Sequence, residues 1–236
     1  MTTIAVIPAR YASTRFPGKP LVEIGGISMI QRVYLQAQKV PAFSKIIVAT
    51  DDERIYEHVQ SFGGDVVLTA ATHQSGTDRI GEVIAQLNTA SDIVVNIQGD
   101  EPFIQPEQLT LLLSAFENPE TEIATLIKHI NDEVDLVNPN IVKVVFTINN
   151  NALYFSRSVI PFDRNSTSHY FKHIGIYAYK TEVLKQLIKL NPSALEQSES
   201  LEQLRWLENG FSIKVVQTNM DTIGIDSPDD LHKILQ

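Results

Sequence analysis

The chain has 236 residues, 43% of them hydrophobic and 20% charged, no cysteine, and a formal net charge of −9. The missing cysteines exclude disulfides, thiolate zinc sites and a cysteine nucleophile but leave magnesium or calcium held by carboxylates, so a hard cation is the metal expected. The acidic balance argues against a broad nucleic-acid-binding face, and no stretch is apolar for long enough to span a bilayer, so a soluble cytoplasmic protein with a small ligand is expected, with no nucleic acid and no membrane insertion.

In chain order, short β-branched runs at 4–7, 46–49, 66–68 and 93–97 alternate with helical patterns, which predicts a mainly parallel sheet flanked by helices. Ser28 and Gln31 have capping-box spacing ahead of an apolar stripe through Met29, Ile30, Val33, Tyr34 and Ala37. A second helix is predicted over 53–62, stopped by Gly63-Gly64. Ser75 or Thr77 caps a third, with Ile80, Val83, Ile84 and Leu87 on its inner face. From about residue 122 the order becomes irregular. Strands are predicted at 123–128, 141–147 and 173–179 with no helix between the last two, which points to added, partly antiparallel structure. Helices near 181–189 and 195–208, a strand at 212–217 and a helix opening at Pro228 complete the chain.

The loop after the first strand, residues 8–20, carries Arg10, Arg15 and Lys19 within ten residues. Ligands of open α/β sheets bind beyond the carboxyl ends of the strands, where this loop falls, and prolines at 8, 17 and 20 stiffen it. It reads as a phosphate cradle or, more plainly, as a solvated loop; it is neither a Walker loop nor a dinucleotide fingerprint. After the fourth strand, Gln98-Gly99-Asp100-Glu101-Pro102 places two carboxylates in the same crevice, where a cation would relieve their repulsion. Glu101 serves equally as a helix-entry acid, whereas Asp100 lies too far upstream for that. In Gly224-Ile225-Asp226-Ser227-Pro228, Ser227 has N-cap spacing, and Asp226 is left either to complete a metal site with Asp100 or to stand exposed. Alternation in 173–179 puts His173, Tyr177 and Tyr179 on one strand face, able to bind or to be solvated. Glu202 and Gln203 fall off the stripe of Leu201, Leu204 and Leu207.

Together, PARYASTRFPGKPL at 8–21, HQSGTDR at 73–79, VNIQGDEP at 95–102, NPNIVKVV at 138–145, ALYFSRSVIP at 152–161, HIGIYAY at 173–179, LEQLR at 201–205 and GIDSPDDL at 224–231 resemble the 3-deoxy-manno-octulosonate (Kdo) cytidylyltransferase family, the CMP-Kdo synthetases. The resemblance extends from about residue 4 to 235. It implies a nucleotide-diphospho-sugar-transferase-like α/β fold in a single domain, 1–236, with a nucleotide-binding half at about 1–120 and a sugar-binding and dimerisation half at about 121–236 that includes a partly antiparallel dimer arm. The implied reaction transfers CMP from CTP to the anomeric oxygen of Kdo for lipopolysaccharide synthesis, releasing pyrophosphate, with Mg2+ as cofactor and a homodimer as the assembly.

By the same resemblance, Pro8, Ala9, Arg10, Ser13 and Lys19 match the triphosphate loop, and Gln74, Ser75 and Gly76 the turn that holds cytidine. Asp100 and Asp226 match the magnesium carboxylates, with Arg10 and Lys19 as the catalytic cations beside them. Arg15, Gln98, Arg157, Arg164, His173, Tyr177, Glu202 and Gln203 match the sugar-binding set, in which an arginine faces the Kdo carboxylate. A synthetase for another sugar acid, such as sialic acid, would share this chemistry. A nucleotide-binding sensor would share the cationic loop and release no pyrophosphate.

Overall fold

The computed structural model of the chain describes residues 1–12, 16–73, 75–87, 91–165, 167, 169–221, 224–225 and 230–231. The chain divides into two compact units, Met1–Thr110 with Thr222–Gln236, and Leu111–Asp221.

The first unit opens with β1 (Thr3–Ala9), the hairpin β2 (Glu23–Ile24) and β3 (Ile27–Ser28), and α1 (Met29–Gln38). It continues through β4 (Phe43–Thr50), α2 (Glu53–Ser61), β5 (Val66–Leu68), α3 (Gly76–Gln86) and β6 (Ile93–Asn96) to α4 (Pro106–Ser114), along which the chain passes into the second unit. β1 pairs in parallel with β6 on one side and β4 on the other, and β4 pairs in parallel with β5. β1 is nearly continuous in its burial, as a strand covered on both faces must be. The predicted stripe of α1 is fully buried, and Ser28 caps the helix by accepting from the Gln31 N–H at 3.3 Å, although the reciprocal half of a capping box is not formed. α2 ends in a Schellman motif: Gly63 adopts φ 78°, its N–H donates to Gln60, and the Gly64 N–H reaches back to Val59. The hairpin at 23–28 carries no strong strand pattern and was not expected from the sequence.

In the second unit follow β7 (Ile123–His129), α5 (Glu133–Val137), β8 (Lys143–Phe146), β9 (Ala152–Ser156), β10 (Phe171–Lys180), α6 (Thr181–Leu187), α7 (Ala194–Glu199), α8 (Glu202–Glu208) and β11 (Ile213–Gln217). β11 runs parallel to β7, while the β7–β10, β10–β8 and β8–β9 pairs are antiparallel, in keeping with the mixed architecture expected here. α5 and β9 were not predicted. The expected helix over 195–208 is two helices, because Ser200 takes a left-handed conformation (φ 53°, ψ 49°) that ends α7. Arg205 of α8 ties the pair together through two hydrogen bonds to Glu196, at 2.7 and 2.5 Å. Residues 226–229, where a last helix was expected to open, lie outside the described residues. No helix among the described residues is long and apolar enough to cross a membrane.

Candidate functional site

The carboxyl ends of β1 and β6 lie side by side in the first unit, and the loops leaving them line a cavity of about 200 Å³ whose walls include Pro8, Arg10, Lys19, Gly76, Gln98 and Asp100. The cationic loop is fixed from several sides. The Gly18 N–H donates to the Tyr11 carbonyl at 2.9 Å, and the Arg54 guanidinium sits 3.3 Å from the centroid of the Tyr11 ring. Gly18 adopts φ 71°, and a Cβ there would stand 3.2 Å from the Tyr11 ring, so only glycine closes this turn without strain. Gly99 answers a different demand. A Cβ at Gly99 would lie 2.9 Å from the Pro8 carbonyl oxygen, so the loop after β6 could not approach the end of β1 this closely with a larger residue.

Lys19 and Asp100, 81 residues apart in sequence, meet here, with Nζ 2.7 Å from Oδ2 and side chains 13% and 33% exposed. The chain thus sets one of its own cations against Asp100. The chain preceding Asp226 also reaches this point, since the Ile225 N–H donates to the Asp100 carbonyl at 3.0 Å. A small apolar cluster of Ile24, Met29 and Ile225, with Phe16, Phe103 and Leu231 packed against it, staples the cationic loop, the acidic loop and the 225 segment together. Arg10 is exposed, and Pro8 and Ala9 form the end of β1. Ser13, Arg15, Gln74 and Asp226 lie outside the described residues.

Ser75, not Thr77, caps α3, in a complete capping box: its Oγ accepts from the Asp78 N–H at 3.1 Å, and its own N–H donates to Asp78 Oδ2 at 3.2 Å. Gly76 therefore opens a helix whose N-terminal dipole suits an anion or an electronegative ring edge. Arg79, on the same helix and 1% exposed, has Nη2 3.1 Å from Asp51 and donates through Nη1 to Thr69. It thereby links α3 to the ends of β4 and β5, a role its place in the HQSGTDR segment did not disclose.

The second unit gathers its own constellation. His173 and Tyr177 do share a face of β10, on which Tyr177 and Tyr179 are buried and His173 is half-buried. Tyr177 stacks on Tyr179, and the indole of Trp206 meets both edge-on with centroids 5.0 and 5.5 Å away. Gln203, expected off the buried stripe, is 5% exposed, whereas Leu207 is partly open, because the break at Ser200 re-aims α8. Tyr177 Oη, Gln203 Nε2 and Trp206 Nε1 are buried and have no hydrogen-bond partner among the described residues. Glu202 and Arg157 are half-buried, and Arg164 is exposed.

His173 lies beside Phe155, with its Nε2 2.9 Å from the Thr125 hydroxyl, and burial pushes its pKa from 6.5 down to about 3. The folded chain thus keeps the ring neutral, while the unfolded chain takes up a proton below its ordinary value. The stability from this residue is fully present above pH 6.5 and is lost as pH falls from 6.5 toward 3. Thermal melts across this window are expected to show a steeper loss for the parent than for His173→Asn, with a limiting slope of about 1.4 kcal/mol per pH unit. Parallel curves would remove His173 as the titrating group.

The sequence profile of the cytidylyltransferase family matches residues 4–216. A 3-deoxy-manno-octulosonate cytidylyltransferase from Cytophaga hutchinsonii is 51% identical, covering 99% of this chain and 96% of its own. One from Bacteroides thetaiotaomicron is 54% identical over 98% of this chain and 96% of its own. The chain belongs to the 3-deoxy-manno-octulosonate cytidylyltransferase family. A solved CMP:2-keto-3-deoxy-manno-octonic acid synthetase complexed with CTP matches the fold with a TM-score of 0.95 and 44% identity, covering 100% of this chain and 97% of that one. A 4-diphosphocytidyl-2C-methyl-D-erythritol synthase from Anaerococcus prevotii, 14% identical with a TM-score of 0.66, shares the fold alone. The nucleotide-diphospho-sugar-transferase-like fold expected from the motifs is thereby established along the whole chain.

Proposed function

We propose that the chain transfers CMP from CTP to the anomeric oxygen of Kdo and releases pyrophosphate, so activating the sugar acid for lipopolysaccharide synthesis. The observation that carries this reading is the Lys19–Asp100 pair, set in a cavity at the carboxyl ends of adjacent parallel strands, in a member of this family. The anomeric oxygen attacks the α-phosphorus in line, and the bond to the β-phosphate breaks. Catalysis of such a step is chiefly positioning and charge neutralisation. Arg10 and Lys19 serve the triphosphate and the departing pyrophosphate, with Ser13 and the stiff Pro8-Ala9 entry completing the loop. Gln74, Ser75 and Gly76 hold cytidine at the start of α3.

Asp100 and Asp226 would hold Mg2+. Their hard oxygen donors suit it, and one or two carboxylates plus substrate phosphates are its usual ligand set. The bond from the Ile225 N–H to the Asp100 carbonyl supports a shared site for the two acids. When bound, the ion would neutralise phosphate charge and polarise the α-phosphate.

For the sugar acid we assign Arg157 to the carboxylate, with Arg15, Gln98, Arg164, His173, Tyr177, Glu202 and Gln203 as further contacts. Support comes from the partnerless donors on Tyr177, Gln203 and Trp206, each of which costs about 1–3 kcal/mol if left unsatisfied. A polyhydroxylated ligand brings the oxygens they lack. We further assign the chain to the cytoplasm, the compartment of CTP, and to a homodimer, which would cover exposed apolar side chains such as Ile148 (99%) and Phe162 (88%).

The test is pyrophosphate release from CTP alone, with Kdo, with sialic acid, and with Kdo plus EDTA. Release that needs Kdo and stops with EDTA is the expected result. Release with sialic acid only would overturn the substrate, and none in any mixture would favour a sensor.

A further inference from the structure

Arg157 is held at four points, all within the second unit. Its Nε donates to the Glu199 carbonyl at 2.8 Å and its Nη1 to the Pro139 carbonyl at 3.0 Å. Its backbone N–H donates to Glu199 Oε2 at 2.9 Å, and its carbonyl accepts from Lys143 Nζ at 2.6 Å. Each side-chain polar atom of Glu199 and Lys143 is itself engaged. The second carboxylate oxygen of Glu199 accepts from the buried Ser156 hydroxyl at 2.6 Å. Lys143, 0% exposed, gives its other donors to the carbonyls of Asn138 and Ile141 at 3.0 and 2.7 Å. Neither side chain is thus left a free polar atom for a ligand. Arg157 is, because its Nη2 has no partner among the described residues.

The carbonyl that takes Nε belongs to the last residue of α7, whose terminal carbonyls have no partner inside the helix. A cation there is also favoured by the helix dipole. Burial lowers the pKa of Lys143, nearby Arg157 lowers it further, and Glu199 opposes the shift, so one carboxylate offsets two cations.

We propose that Glu199 is a positioning residue: its carboxylate, beside the buried Lys143, fixes the backbone of Arg157, whose guanidinium the carbonyls of Glu199 and Pro139 hold, so that the free Nη2 edge is preorganised for the carboxylate of the sugar acid. This rests on the assignment of Arg157 to that carboxylate. A long side chain held in one rotamer loses little further freedom on binding, and an unheld one loses more. Removing the Glu199 carboxylate frees the backbone that carries this guanidinium, and is therefore expected to act on sugar-acid affinity.

The experiment uses the full chain and separate KM values for Kdo and CTP. Glu199→Ala, which keeps the carbonyl on Nε, is expected to raise the Kdo KM roughly tenfold and leave the CTP KM within about twofold. Glu199→Gln retains an acceptor for the Arg157 N–H and a partner for Ser156, and is expected to restore the Kdo KM to within about threefold. In an Arg157→Ala background, Glu199→Ala should add less than about twofold, since the group it positions is gone. Arg157→Ala with an unchanged Kdo KM would overturn the assignment of Arg157 and this inference with it. If Arg157→Ala raises the Kdo KM but Glu199→Ala multiplies that loss, or weakens CTP equally, the positioning role alone falls. A variant that melts early is read through Glu199→Gln, where failure to restore the Kdo KM in a stable protein counts against the proposal.

Discussion

Asp100→Asn is expected to abolish turnover at saturating magnesium, a loss of about 10³-fold or more in kcat, while CTP affinity stays within roughly tenfold. The asymmetry follows from the geometry. Asp100 lies 2.7 Å from Lys19, so its carboxylate competes with a phosphate for that ammonium. The substitution removes this competitor as it removes a metal ligand, and the two effects on CTP binding oppose each other. The chemical step has no such compensation. Steady-state pyrophosphate release, with CTP binding measured by titration, checks both halves. Turnover within threefold of the parent would take Asp100 out of the mechanism. A large loss of CTP affinity would make it a binding residue instead.

Lys19→Ala is expected to lower kcat by about 10² or more without a comparable fall in melting temperature. Lys19 sits in a single 3₁₀ turn, Lys19–Leu21, and its partner Asp100 keeps access to water, so the orphaned carboxylate is not trapped in the core. The folding cost of breaking such a pair is small, about 0–1 kcal/mol. The functional cost is larger, since charge on the departing pyrophosphate grows as the bond breaks and a poised ammonium is worth most at that moment. A change confined to the CTP KM would show that Lys19 binds substrate and transition state alike.

Much of this fold is legible in the order of the residues because its first half is built from local patterns. The strand at 66–68 and the helix start at Glu53 are where period and capping put them, and the Gly63-Gly64 stop is a Schellman motif. The Asp100-Glu101 pair could be read as acids in want of a cation, but not which cation meets them, because Lys19 arrives from 81 residues away. In the second half, alternation put His173 and Tyr177 on one side of a strand, yet could not say that Trp206 would cover the tyrosine. The break at Ser200 has no glycine or proline to announce it, so 195–208 reads as one helix and Gln203 as exposed.

By itself, then, the sequence determined what depends on neighbours in the chain: the parallel strands, the capped helices, the stiff cationic loop, and the ordered motifs that mark the cytidylyltransferase family. Only the tertiary structure decided what depends on distant segments meeting. It paired Lys19 with Asp100, buried Lys143 among three carbonyls, and set Glu199 against Arg157. The physical reason is that periodicity and capping act over one or two turns or a few residues of strand, whereas hydrogen bonds and ion pairs between loops take their geometry from how whole elements pack.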